Sequence, residues 1–164
     1  MNLKDYKPGT KINLLSIGYS GSGKTIGSAS FPNPLIFDLD QRIKPLKRFF
    51  AERDDIDIES YGPFEFQRFW DRLKKLYDGD VRNKTYVVSS LTSLAHMAIN
   101  FGMENRSPGT GKSLKNIPIT DIADYGAEAS LLNRVIAILR TIDANLIVEA
   151  HLVETISKKK TSKQ

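Results

Sequence analysis

A glycine-rich stretch, GYSGSGKT at residues 18–25, has the residue types and spacing needed to bind a triphosphate. It fits the pattern G-x-x-x-x-G-K-[ST] at every fixed position. Glycines let the backbone curl so that successive amides point inward at a pyrophosphate, and a following helix adds its positive N-terminal end. The residues predicted to contact nucleotide are Gly18, Ser20, Gly21, Ser22, Gly23, Lys24 and Thr25.

Lys24 and Thr25 would act on the phosphates through their side chains. The Lys24 ammonium would reach the terminal phosphates, and the Thr25 hydroxyl would be a ligand of Mg²⁺. The same glycines would also suit a tight turn that binds no ligand. A similar stretch, PGTGKS at 108–113, has Arg106 where the first glycine should be, and no strand precedes it. We interpret it as a basic loop. A GTPase would also need N-K-x-D, and the only candidate, at 83–86, reads NKTY.

Alternating strand and helix patterns surround this stretch and predict the fold class. A short apolar run precedes it, and a helix from Lys24 to about Ser30 should follow. Such alternation implies an α/β fold, a three-layer α-β-α sandwich with a mainly parallel sheet, in one domain spanning 1–164. Further strands are predicted at 35–37, 56–59, 86–89 and 145–150, with helices at about 45–52, 66–77, 91–101 and 131–142.

The composition is that of an ordinary globular protein, with 40% apolar and 26% charged residues. No apolar stretch approaches the roughly 18 residues that span a bilayer, and the N-terminus lacks the apolar core of a signal peptide. We therefore expect a cytoplasmic protein without a membrane partner. The absence of cysteine excludes disulfides, thiolate zinc sites and cysteine nucleophiles.

Two basic segments account for the net charge of +5. Residues 103–120 carry three basic and one acidic side chain, and residues 152–164 carry four and one. Such clustering indicates a polyanionic partner, although a solvated run of charge would look the same.

The order of these features resembles that of the RecA-like P-loop ATPases. Among them it is most similar to short phage-encoded ATP-binding proteins linked to single-strand annealing and DNA recombination. The resemblance runs from about Lys11 to the C-terminus. It implies ATP and Mg²⁺ as cofactors, weak ATP hydrolysis, single-stranded DNA as partner, self-association or recombination partners, and the host cytoplasm as location. The stretches that carry it are GYSGSGKT, FPNPLIFDLD, TYVVSSLTSLAHM, DIADYG and NLIVEAH.

The resemblance also implies three catalytic residues. Lys24 would stabilise the phosphates, Asp40 at the end of the second strand would orient the attacking water, and His151 would be the polar sensor of the γ-phosphate. Asp38, beside Asp40, is a candidate for the metal shell. The alternatives are structural: either aspartate could end a strand and cap a helix, and His151 could have a hydrogen-bonded structural role.

Ser89 departs from the family pattern, which places the Walker B aspartate at the end of the third strand. A hydroxyl there could accept a hydrogen bond from a metal-bound water, so we predict that Ser89 contacts Mg²⁺ through water. Alternatively, Ser89 or Ser90 caps the helix that begins at Leu91. The chain also ends 13 residues after His151, where such cores usually continue, which suggests a truncated copy or the need for a partner.

The loops that touch DNA in the recombinases coincide with the two basic segments. The resemblance and the count of charged residues therefore predict the same two segments as the nucleic-acid contact. The residues predicted to contact nucleic acid are Arg106, Lys112, Lys115, Lys158, Lys159 and Lys160.

Other functions fit the same motifs. A small-molecule kinase would use Asp38 or Asp40 as base, but its lid at 103–120 would hold only Arg106 where such kinases usually carry several arginines. A degenerate nucleotide-binding subunit would explain the missing aspartate and the short C-terminus. An AAA+ motor is disfavoured, since no Asp-Glu pair ends the third strand and no arginine-finger region is present.

Overall fold

The computed structural model describes residues 11–106, 112–114 and 117–152. Seven strands and five helices occur there. The strands are β1 (Asn13–Gly18), β2 (Pro34–Asp38), β3 (Asp57–Ser60), β4 (Thr85–Ser89), β5 (Lys112–Leu114), β6 (Ile117–Ile119) and β7 (Asn145–His151). The helices are α1 (Lys24–Ala29), α2 (Leu46–Phe49), α3 (Phe66–Tyr77), α4 (Leu91–Glu104) and α5 (Ile122–Thr141).

Five strands form one sheet in the order β1-β7-β4-β2-β3, and every neighbouring pair is parallel. The inner strands β2 and β4 are buried along their whole length. This is typical of parallel strands, because helices cover both faces of such a sheet. The predicted α/β fold with a parallel sheet is confirmed, and β3 is the edge strand predicted near residues 56–59.

Alternating side chains of the inner strands enter two separate cores. Ile36, Val87 and Ile147 pack with α1 and α2 on one face of the sheet. Their sequence neighbours, including Phe37 and Val88, pack with α3, α4 and α5 on the other face. The two-residue period of a strand thus decides which helix layer each residue meets.

Helix α3 follows the predicted amphipathic pattern with one exception. Phe66, Phe69 and Leu73 are buried as expected. The apolar spacing i, i+3, i+4, i+7, i+11 that starts at Phe66 also predicts Tyr77 to face inward, but Tyr77 is 63% exposed and Leu76 is buried instead. Leu76 lies two turns after the fully buried Phe69, whereas Tyr77 lies two turns after Trp70, which is only half-buried at the edge of the stripe.

The predicted basic loop at 103–120 contains more regular structure than expected. Helix α4 continues to Glu104, and β5 and β6 pair as an antiparallel hairpin in which Lys112 lies opposite Ile119. No short-range pattern in the sequence distinguished this hairpin from a loop.

The carboxyl ends of the parallel strands meet at one edge of the sheet. The register places Gly18 opposite His151, and Asp38 opposite both Ser60 and Ser89. The loops that leave these strands therefore converge, which is where open α/β sheets bind ligands. Among the described residues, none of the helices is both long and apolar enough to cross a bilayer.

Candidate active site

Residues 18–25 form the connection between β1 and α1, as the phosphate-binding pattern requires. Gly21 and Gly23 have φ angles of 79° and 85°, a left-handed conformation that strains any residue with a side chain. The Ser22 amide donates to the Tyr19 carbonyl at 3.2 Å, which closes the turn before α1. Two glycines of the loop, of which Gly23 is a fixed position of the pattern, are thus present because the backbone needs them.

The Lys24 ammonium is folded back onto its own loop. It donates to the carbonyls of Gly18 (3.0 Å) and Tyr19 (2.9 Å). It also lies 3.4 Å from Nδ1 of His151. An ammonium can only donate, so this contact makes Nδ1 the acceptor and leaves the imidazole proton on Nε2.

A carboxylate that the sequence analysis missed lies beside Thr25. Glu149 is 1% exposed, and its Oε2 accepts hydrogen bonds from Thr25 (2.7 Å) and Ser89 (2.8 Å). Its Oε1 accepts from Ser28 at 2.6 Å. The negative charge expected from the end of β4 is therefore supplied by the neighbouring strand β7.

Strand alternation explains the placement of Glu149. Ile147 packs on the face of the sheet that carries α1, and two residues later the Glu149 side chain reaches α1 as well. Ser89 stands in the same relation to Val87 on β4. The signal was present in NLIVEAH, where an acid interrupts an otherwise apolar buried strand two residues before His151.

The two serines at the end of β4 have different roles. Ser89 donates its hydroxyl to Glu149, so the carboxylate stands between this hydroxyl and Thr25. Ser90 is the N-cap of α4, and its Oγ accepts from the Ser93 amide at 3.4 Å. The capping alternative thus holds for Ser90. The predicted contact of Ser89 with Mg²⁺ through water stays a prediction.

Asp40 and His151 form a hydrogen-bonded pair, with 3.1 Å between Oδ2 and Nε2. The other carboxylate oxygen, Oδ1, accepts from Ser93 and from Ser90 (3.2 Å). Burial raises the pKa of Asp40, but the hydrogen bonds from Ser93, His151 and Ser90 outweigh burial and hold that pKa below its ordinary value. Lys24, His151 and Asp40, the three predicted catalytic residues, are therefore joined in one hydrogen-bonded chain.

Asp38 is not brought to Thr25. Its carboxylate accepts from the Arg42 amide (3.2 Å) and from the Ser60 hydroxyl (3.3 Å). Burial raises the pKa of Asp38 above its ordinary value, although these hydrogen bonds act in the opposite direction. The structure thus gives Asp38 a role in fixing the loop after β2, and the carboxylate beside Thr25 is that of Glu149. The predicted place of Asp38 in a metal shell stays a prediction.

Arg106 is also engaged elsewhere than predicted. Its guanidinium forms two bonds with Asp124 in the first turn of α5 and lies 3.8 Å from Asp121. With only 14% of its side chain exposed, it ties the end of α4 to the start of α5. The predicted DNA contact at Arg106 stays a prediction, and it would require this ion pair to open. The side chain of Lys112 and all of Lys115, Lys158, Lys159 and Lys160 lie outside the described residues.

A cavity of about 320 Å³ opens beside the loop, a size within the ordinary range for small-molecule sites. In the parts of the chain described, no group of three or more His, Asp or Glu side chains is placed to hold a metal ion. The cavity is lined by residues 20–25 together with Ile26, Asp40, Arg42, Ile43, Pro45, Leu46, Ser89, Glu149 and His151.

A family model described as an AAA domain matches residues 10–164. The chain belongs to this family. An AAA domain is a nucleotide-binding, ATPase-type P-loop domain, in agreement with the parallel sheet and the loop described above. A search of curated proteins found no match.

The family assignment bears on one expectation from the sequence. An AAA+ motor was disfavoured because no acidic pair ends the third strand, yet the domain is of the AAA type. The match shows the type of domain and not a motor activity, so the expectation against a motor stays a prediction.

We predict that Ser93→Ala destabilises this AAA domain in a pH-dependent way. The pKa of Asp40 lies below its ordinary value of 3.8, so its hydrogen bonds stabilise the fold above that pH and stop doing so as the pH falls through the lower, folded-state pKa. Loss of the Ser93 hydroxyl should lower the free energy of unfolding at pH 7 by about 1.5–3 kcal/mol. The loss should be smaller at pH 3, since this pH lies below the ordinary pKa of 3.8. Urea unfolding of the wild type and the variant at pH 7 and pH 3 measures the two losses.

The control is Thr92→Ala, which removes an exposed hydroxyl from the same helix. It should change the free energy of unfolding little at either pH. An equal loss for Ser93→Ala at pH 7 and pH 3 would show that Asp40 gains nothing from this hydroxyl.

Proposed function

We propose that this AAA domain binds MgATP on the loop at residues 18–25 and hydrolyses it slowly. The observation that supports this best is the 2.7 Å hydrogen bond between Thr25 and Glu149. It places a carboxylate directly behind the hydroxyl that a P-loop offers to Mg²⁺. The cavity beside both residues is also lined by Asp40 and His151.

The residues around Thr25 fit a magnesium ion that keeps most of its own water. Thr25 would be its one protein ligand, while Glu149 and Ser89 would accept hydrogen bonds from its water molecules. When bound, Mg²⁺ supplies positive charge against the β- and γ-phosphates. Glu149 has hydroxyl partners only, so a nearby cation would complete its neutralisation.

Lys24 has to move for the site to work. In the structure its ammonium is held by the carbonyls of Gly18 and Tyr19. Bound phosphate oxygens are stronger acceptors because they are charged, so the ammonium would exchange these carbonyls for the terminal phosphates. His151 would then lose its contact with Lys24 and keep the one with Asp40.

Asp40 suits a water-orienting role better than that of a strong base. A carboxyl whose pKa is lowered stays ionised at neutral pH and accepts a hydrogen bond from the attacking water. Hydrolysis of ATP needs little more, because positioning and charge stabilisation carry nearly all phosphoryl-transfer catalysis. The proton of the water would leave with the phosphate product.

We further propose that the domain acts on single-stranded DNA, in recombination or annealing. The support is the net charge of the two basic segments, 103–120 and 152–164. The second of them begins beside the site, since the Leu152 amide donates to the Gly18 carbonyl at 3.2 Å. Turnover of ATP measured with and without single-stranded DNA tests both halves of the proposal: Lys24→Ala should abolish binding and turnover, and DNA should change the wild-type rate.

We predict that Glu149→Gln lowers ATP turnover about 10- to 100-fold, the usual effect of losing an outer-shell partner of a metal. Nucleotide binding should persist because the loop itself is unchanged. Glu52→Gln, which alters an exposed glutamate, is the matched control. Steady-state phosphate release and fluorescent-nucleotide binding measure the two effects, with thermal unfolding to verify the fold. Wild-type turnover in the Glu149→Gln variant would remove Glu149 from the mechanism.

We predict that Ser89→Asp does not raise turnover. The new carboxylate would lie next to Glu149, which now accepts the Ser89 hydroxyl at 2.8 Å, and two adjacent carboxylates cannot both remain ionised without cost. The same substitution combined with Glu149→Gln returns one carboxylate to the neighbourhood of Thr25 and should recover turnover relative to Glu149→Gln alone. A large gain from Ser89→Asp alone would mean that Glu149 does not supply the missing charge.

We predict that replacing Lys158, Lys159 and Lys160 by alanine weakens binding to single-stranded DNA. The slope of log affinity against log salt should become less steep by about 2, since each contact contributes about 0.7. Fluorescence anisotropy across a salt series measures it. The control replaces three exposed lysines elsewhere, Lys74, Lys75 and Lys84, and should leave the slope unchanged. An unchanged slope in the first variant would rule out the tail as the DNA contact.

A further inference from the structure

Arg42 is a cation of the site that the sequence analysis did not single out. It lies four residues after the end of β2 and lines the same cavity as Lys24 and Thr25. It is exposed, and among the described residues its guanidinium has no hydrogen-bond or ion-pair partner. The other arginine of comparable exposure on this side, Arg48 on α2, does not line the cavity.

A hydrogen bond to the side chain of Asp38 fixes the backbone at Arg42. The buried carboxylate of Asp38 accepts the Arg42 amide at 3.2 Å and is itself held by Ser60. Gln41, just before it, has a φ of 55°, a left-handed conformation that is uncommon for residues other than glycine. The hydrogen bond between Asp38 and the Arg42 amide thus stabilises a sharp turn, and this turn places Arg42 at the cavity.

Arg42 also lies beside the residues proposed to orient water. Together with Asp40 and His151 it lines a second, adjoining cavity of about 490 Å³. These three residues and Ser20 line both cavities, at the end of the site where the Lys24–His151–Asp40 chain lies. This is where the terminal phosphate would lie, because Lys24 is the residue that reaches it.

The charge of the loaded site calls for another cation. Of the ionised groups that line the cavity, Asp40 and Glu149 are negative, and only Lys24 and Arg42 are positive. Bound MgATP adds further negative charge, which in the transition state is spread over the oxygens of the transferred phosphoryl group. A guanidinium presents several donors in a planar fork that matches phosphate oxygens.

We propose that Arg42 contacts the terminal phosphate of the bound nucleotide and stabilises the charge that develops there during hydrolysis. The assignment rests on the proposed function, and it makes the chain the source of its own catalytic arginine. In this proposal Asp38 is a positioning residue, because its carboxylate holds the Arg42 backbone.

The test compares Arg42→Ala and Arg42→Lys with Arg48→Ala. Arg42→Ala should lower kcat about 100-fold or more, as expected for removal of one preorganised donor to a transition state. ADP affinity should be unchanged, while the preference for ATP over ADP should fall, because only ATP carries the contacted phosphate. Arg42→Lys should recover little, since an ammonium lacks the two-pronged geometry. Arg48→Ala should resemble the wild type in every measurement.

The outcomes separate this inference from the proposed function. Wild-type kcat and wild-type ATP preference in Arg42→Ala would overturn the role of Arg42 and leave the ATPase intact. If the wild-type protein binds ATP without turnover, the ATP-over-ADP preference still decides whether Arg42 contacts the terminal phosphate. Failure of the wild type to bind ATP at all would overturn the proposed function itself. The substitution removes an exposed side chain and keeps the backbone bond to Asp38, so the variant should fold.

Discussion

The burial of one carboxylate constrains the rest of the site. Glu149 is almost fully removed from water, and a buried carboxylate without partners would cost more free energy than a small domain has to spare. Hydroxyls from Thr25, Ser28 and Ser89 satisfy it. Because these hydroxyls come from α1 and β4, the first turn of α1 cannot shift against the sheet without breaking them. The position of the phosphate-binding loop is therefore set from inside the protein.

Strand β7 organises a second set of contacts through the same alternation. Two residues after Glu149, the His151 side chain emerges on the same face and connects Lys24 with Asp40. One strand thus contacts Thr25 through Glu149 and Lys24 through His151. The acid usual at the end of β4 is replaced by Ser89 without loss of charge, because the neighbouring strand supplies it.

The sequence predicted the parts of this structure that depend on local pattern. Most strand and helix positions followed from apolar periodicity, although α5 begins at Ile122, nine residues before its predicted start. The loop followed from its glycines and lysine. Asp40 and His151 were each predicted as site residues at the ends of strands, but the hydrogen bond between them was not predicted. What it could not predict depends on pairing between distant segments. Glu149 becomes the partner of Thr25 only when β7 lies between β1 and β4. Likewise, nothing near Arg106 indicated that Asp124 would hold it.

Gly18 and His151 are the last partners in the pairing of β1 with β7, and the Leu152 amide extends that ladder by one more bond to the Gly18 carbonyl. The same carbonyl holds the Lys24 ammonium. A pulling force applied to the chain beyond Leu152 would act on the hydrogen bond at this carbonyl before it acted on the bonds inside the sheet. Two hydrogen bonds that share this carbonyl would thus transmit such a force to the Lys24 ammonium.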